Sequence, residues 1–302
     1  MKQRVNPFQE SLITGHFTVT AELTPPRGPS FDDLTVAVKT LKPAVTAINL
    51  TDGAGARVRM SSAAAAAHVK QIGVEPILQL TCRDRNRIAI QSDLLGAAAF
   101  GVRNVLILTG DSVDAGDDPD AKPVFDLDSR QLLAALRKMS RQATTMSGSE
   151  LTSAPDFFLG AADTPFEAKE NWEPDALRAK KEAGAQFIQT QYCFDMELLE
   201  RYMATLTAHG LTKDMYFLIG LGPLRSATGA RWMRDNLWGT VMPDGIIRRM
   251  EAARDPRQEG ISICAELLQH ARDIDGVAGA HLMAPGLHHE IVETVELAGM
   301  TR

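Results

Sequence analysis

Three polar side chains in this sequence stand where apolar ones are expected. In FTVTAEL (17–23) a period-two apolar pattern ends on Glu22, NVLILTGD (104–111) closes on Asp111, and FIQTQYCF (187–194) carries Gln191 among apolar neighbours. A carboxylate at the end of an apolar strand is stripped of water, which favours its protonated form and suits it to general-acid work. An ion pair between Glu22 and nearby Arg27 is the structural alternative, and position alone leaves the two readings even. Asp111, following Thr109 and Gly110, suits hydrogen bonding to a cyclic amidine or stabilisation of a cation, and capping of a loop or helix explains it equally well. The Gln191 amide both donates and accepts, as recognition of a heterocycle requires, or it belongs to an internal hydrogen-bond network.

Other candidates are weaker. DGAGAR (52–57) begins with Asp52 and brings backbone amides within reach of a phosphate, but a tight turn is the plainer explanation of its glycines. The arginines of CRDRNR (82–87) are interrupted by Asp84 and read as a solvated loop. His288 and His289 are adjacent on a predicted helix, where neighbouring side chains splay by about 100°, which argues against a shared metal. Cys82, Cys193 and Cys264 are far apart, with no zinc-ligand spacing, and suit a reducing cytoplasm.

Positioning these groups requires a regular scaffold. Eight short β-branched and apolar runs appear at 17–23, 44–51, 75–82, 104–110, 156–162, 187–194, 215–223 and 279–284. Helix-rich segments separate them at 31–41, 61–72, 86–100, 129–141, 173–183, 196–209, 226–236 and 258–274, and a last helix spans 287–298. Ser30, Ser61, Asp128 and Asp195 are candidate N-caps. Strict alternation implies parallel strands joined by right-handed crossovers, and eight such units close into a (β/α)8 barrel. The competing open sheet would carry a glycine fingerprint after its first strand, where this chain has TPPRGPS. The expectation is a single (β/α)8 TIM barrel over residues 1–302.

Active sites of such barrels form at the C-terminal strand ends. Reading those ends puts Glu22, Thr51, Asp52, Thr81, Thr109, Gly110, Asp111, Gln189 and Gln191 on one rim. Two long segments, the acidic loop 111–129 and the insertion 236–260 with a short helix near 244–253, belong to that rim as a lid or ligand wall. The aspartates of the first lack the Gly and Glu positions of an EF-hand loop. A net charge of −6 argues against nonspecific nucleic-acid binding. With no run of eighteen apolar residues and no cationic leader, a soluble cytoplasmic protein is expected and no membrane partner.

Taken in order, TAELTPPRG, INLTDGAGARVRMS, LQLTCRDRNR, NVLILTGD, AKPVFDLDS and AGAQFIQTQYCFD resemble the methylenetetrahydrofolate reductase family, from about residue 15 to residue 298. The resemblance, nearest to bacterial single-domain members, implies a barrel carrying FAD at its C-terminal rim. Hydride would pass from NADH or NADPH by way of the flavin to 5,10-methylenetetrahydrofolate, or in reverse. The family's general acid falls on Glu22, its pterin-binding aspartate on Asp111 and a folate-contacting glutamine on Gln191. Flavin contacts fall on Thr51, Asp52, Gln79, Thr109, Gly110, Asp111 and Lys180. The chain departs from the family with Thr109 in place of an arginine, Gln79 in place of a histidine, Pro165 where a second histidine falls, and Ala176 and Ala179 on the helix that should supply asparagine and arginine to the flavin. These departures keep FMN, or no flavin at all with direct hydride transfer, open beside FAD. A folate-binding subunit that needs a partner protein for electrons is the reading from another class. Sequence leaves the choice between NADH and NADPH, and any homo-oligomer, undecided.

Overall fold

Each apolar run pairs with the next one along the chain, and the last returns to the first. In the computed structural model, which describes residues 6–169 and 171–300, the strands β1 (Thr18–Leu23), β2 (Ala47–Leu50), β3 (Pro76–Thr81), β4 (Asn104–Leu108), β5 (Phe158–Asp163), β6 (Phe187–Tyr192), β7 (Tyr216–Leu221) and β8 (Val277–Leu282) close a parallel barrel in sequence order. The closing register sets Thr20 against His281, and the β1–β2 register sets Glu22 against Asn49. The expected (β/α)8 architecture is therefore what the chain forms.

Helices α2 (Asp32–Leu41), α3 (Ser62–Gln71), α4 (Arg87–Ala99), α5 (Ser129–Gln142), α6 (Asp175–Ala183), α7 (Met196–Ala208), α8 (Ala227–Asn236), α10 (Pro256–Asp273) and α11 (His288–Leu297) follow the strands, with α9 (Asp244–Ala252) inserted before α10. Asp128 and Asp195 cap α5 and α7 through their side chains, and Asp128 completes a capping box with Gln131. Ser61 precedes α3 but makes no capping bond, and the cap position of α2 is Phe31 rather than Ser30. The helix expected to start at 258 begins at Pro256, because Asp255 caps it and the proline occupies its first turn. Among the described residues no helix is long and apolar enough to cross a membrane.

One element was not expected. α1 (Pro7–Ile13) precedes β1, opened by the Asn6 side chain and a proline at its first position. Its Phe8 and Leu12 plug the N-terminal end of the barrel, where Phe8 meets Phe158 and Phe187 edge-on at ring distances of 5.8 and 5.1 Å. Above this apolar floor of Ala47, Ile77, Leu106, Phe158, Phe187 and Leu218, the barrel interior turns polar toward the C-terminal mouth. The side chains of Thr20, Asn49, Gln189 and His281 are all buried there. A larger core fills the space between sheet and outer helices, and a satellite core lies under α8, α9 and α10. The apolar plug closes one end of the cylinder and leaves the polar mouth at the other.

Candidate active site

Glu22 sits at the top of β1, where strand alternation turns it into the barrel mouth, and its side chain keeps 22% of its exposure. Its Oε2 accepts a 2.7 Å bond from Gln79 Nε2 and lies 3.6 Å from His281 Nε2. Behind it runs a buried chain of bonds. His281 Nδ1 is 3.0 Å from Thr20 Oγ1, Thr20 accepts from Gln189 Nε2 at 3.2 Å, and Gln189 exchanges bonds of 2.6 and 3.1 Å with Asn49. Every polar member of this chain has a partner, which is the condition for a buried network to fix one geometry. The ion pair between Glu22 and Arg27 does not form. Arg27 lies on the loop after β1 and pairs with Asp117 of the acidic loop at 2.5 Å.

A cavity of about 390 Å³ opens above Glu22. Glu22, Thr51, Asp52, Gln79, Thr109, Gly110, Asp111 and Gln191 all line it, so the side chains singled out from strand ends converge on one space. Lys180 is the exception. It faces a neighbouring cavity of about 740 Å³ that shares Ala162, Asp163, Thr164 and Trp238 with the first.

Their individual settings differ. Thr51 is 3% exposed, and its Oγ1 has no hydrogen-bond partner among the described residues, an orphan hydroxyl beside an open cavity. A buried hydroxyl is normally satisfied, and this one is not. Asp52 is fully engaged: Arg85 binds both its oxygens at 2.8 and 2.9 Å, Thr81 adds its backbone N–H at 2.8 Å and its hydroxyl at 2.9 Å, and Ser62 donates at 3.1 Å. Burial alone would raise the Asp52 carboxyl, but the bonds and charge of Arg85 and the Thr81 bonds hold it below the ordinary value. Asp52 braces the wall.

Asp111 is exposed at the rim, and its Oδ2 accepts from Gly55 N–H at 2.7 Å. Gly110 needs its positive φ of 98°, and a Cβ there would lie 2.9 Å from Arg83 Cβ. Gln191 donates to the Trp238 carbonyl at 3.2 Å and accepts from Tyr192 N–H at 3.0 Å. Lys180 Nζ donates to the Ala162 carbonyl at 2.7 Å and stands 3.6 Å from Asp163. Burial pushes the Asp163 carboxyl upward, against the opposing pull of the Lys180 charge and the Tyr202 hydroxyl at 2.5 Å.

Two of the three arginines of CRDRNR are not solvated, while Arg87 is exposed. Arg83 is 3% exposed and reaches the carbonyls of Gly53 and Asp111, while Arg85 turns inward to Asp52. His281, Thr20 and Asn49 were also not anticipated. Their signal was a polar residue inside a short apolar run: His281 in GAHLMA, Thr20 two places before Glu22 in FTVTAEL, and Asn49 in AVTAINLT.

A closed α/β barrel with one polar, carboxylate-bearing mouth and an apolar plug is the architecture of a barrel enzyme. The chain belongs to the methylenetetrahydrofolate reductase family, a family of oxidoreductases, whose sequence profile matches residues 7–299. A probable NADPH-dependent methylenetetrahydrofolate reductase of Caenorhabditis elegans is 24% identical over 81% of this chain, which spans 35% of that relative's length. The 5,10-methylenetetrahydrofolate reductase of Pectobacterium carotovorum is 23% identical over 85% of this chain and 82% of the relative. Among solved structures, a Clostridium thermocellum protein that binds two copies of 5-methyl-5,6,7,8-tetrahydrofolic acid superposes with a TM-score of 0.63, at 13% identity, over 96% of this chain and 97% of that one. An EDTA monooxygenase from Chelativorans superposes with a TM-score of 0.59 at 10% identity, over 94% of this chain and 93% of that one. At these identities the structural likeness is one of fold.

Proposed function

We propose that this chain reduces 5,10-methylenetetrahydrofolate to 5-methyltetrahydrofolate with electrons from NADH or NADPH, using a bound flavin and Glu22 as general acid. The observation that carries the reading is the placement of Glu22. It is the carboxylate at the inner wall of the mouth, held by Gln79 and backed by His281 and the buried polar chain behind it.

Opening the methylene bridge requires a proton on the amine nitrogen that departs. Gln79 and His281 both address Oε2 of Glu22, so Oε1 is the oxygen left to hold that proton and present it to the cavity. His281 stands behind the carboxyl, its ring oriented by Thr20, at a distance from which a proton is returned after small motion. Asp111 at the rim places a negative charge where a pterin cation would develop. Gln191 keeps one N–H beyond its Trp238 bond for the heterocycle edge.

The residues present fit a flavin. The orphan Thr51 hydroxyl and the backbone at Gly110 border the first cavity, where the ring would lie, and Lys180 offers a cation to a phosphate in the second. The second cavity, of about 740 Å³, would take the longer chain of FAD. When bound, the flavin supplies a carrier that accepts and donates hydride.

The test is turnover by the purified protein supplied with FAD, NADH or NADPH, and 5,10-methylenetetrahydrofolate, together with Glu22→Gln. Methyl product from the parent and a loss of about 100-fold or more in the variant are expected. No product from the parent, or an unimpaired variant, overturns the proposal.

A further inference from the structure

We infer that Trp238 is the aromatic wall against which a flat ring of the bound folate stacks, a role that rests on the folate reading above. Trp238 is 84% exposed and borders both the catalytic cavity and its larger neighbour. Among the described residues that line the catalytic cavity it is the one Phe, Tyr or Trp. The remaining lining is carboxylate, amide and hydroxyl groups with the His281 imidazole, which read the edges of a heterocycle, and aliphatic and thioether side chains, so the indole is the broadest flat surface offered to a ring face.

The ring is bare but its backbone is fastened. Gln191 Nε2 holds the Trp238 carbonyl at 3.2 Å, while Gln191 Oε1 is itself fixed by Tyr192 N–H. Gly239, at a φ of 78°, packs so closely under Thr164 that an added Cβ would come within 2.6 Å of it. Val241 then pairs with β6 on both sides, donating to the Tyr192 carbonyl at 2.9 Å and accepting from Phe194 N–H at 2.8 Å. An indole held open over a polar cavity by an anchored loop is preorganised for a planar ligand, because little freedom is lost when the ligand arrives. The other two tryptophans have different surroundings. Trp172 packs against Phe166 and Tyr202, and Trp232 stands exposed on α8 away from either cavity.

The experiment measures affinity for 5-methyltetrahydrofolate by equilibrium dialysis for the parent, Trp238→Ala and Trp238→Phe, with flavin affinity and oligomeric state determined on the same samples. Loss of a stacked aromatic pair predicts about three- to tenfold weaker folate binding in Trp238→Ala and near-parental binding in Trp238→Phe. The thermal midpoint stays at the parental value. Folate affinity unchanged in Trp238→Ala overturns the inference, and so does a loss confined to flavin affinity or to self-association. A parent that binds no folate sinks the functional reading itself, so the two failures are told apart.

Discussion

Arg85→Ala isolates the brace that holds the second strand end in place. The Asp52 carboxylate side chain is 5% exposed and Arg85 17%, and the guanidinium covers both carboxylate oxygens. Removing one partner of a buried pair costs about 3–5 kcal/mol when the other is left uncompensated. Here Asp52 keeps the Thr81 N–H, the Thr81 hydroxyl and the Ser62 hydroxyl, so the expected loss falls to about 2–3 kcal/mol. Urea unfolding at pH 7 reads it directly, as a lower midpoint at unchanged slope.

The pH dependence supplies a second, independent readout. The Asp52 carboxyl lies below its ordinary value in the folded chain, so its stabilisation is complete above the unfolded value near about 3.9 and is lost as pH falls through the lower folded one. Without Arg85 the burial effect prevails and the carboxyl moves upward. The gap between parent and variant should therefore be widest at neutral pH and narrow as the pH approaches 4. A cost under about 1 kcal/mol, or a gap that ignores pH, refutes the argument that Arg85 compensates a buried charge.

Two further outcomes follow from the packing. Phe8→Ala should cost about 3–5 kcal/mol, measured by the same urea titration, because Phe8 is fully buried against Phe158 and Phe187 at the floor of the barrel; a loss below about 1 kcal/mol would mean that α1 is not part of the cooperative core. The three cysteines should resist alkylation at pH 7.5 until denaturant is added, followed by mass spectrometry. All are buried, and burial pushes the Cys82 thiol up to about 11 and the Cys193 thiol to about 12, leaving almost no thiolate.

What was legible in the sequence, and what was not, divides along physical lines. Barrel strands buried on both faces announce themselves as apolar runs, and a polar side chain at the C-terminal end of such a run stands at the mouth, which is why Glu22 and Gln191 could be picked out. The partners of those intruders are set by neighbouring strands, and adjacency between β1 and β8 brings His281 to Glu22 across nearly the whole chain. Nearness in sequence misled for the same reason. Arg27 is five places from Glu22, yet its loop leaves the mouth and meets Asp117 instead. Arg85 looked solvated because its counter-ion, Asp52, comes from the loop after β2, 33 places earlier in the chain. α1 had a readable start, with Asn6 before a proline and Phe8 and Leu12 four apart, but seven residues carry too little periodicity to stand out against a loop. Trp238 marks the opposite limit: an indole in an apolar-rich segment reads as core, and only the anchoring of its loop by Gln191 and Val241 shows that the ring is held outside it. In each instance the strand pattern located a side chain on the rim, and the closure of the barrel decided what that side chain met.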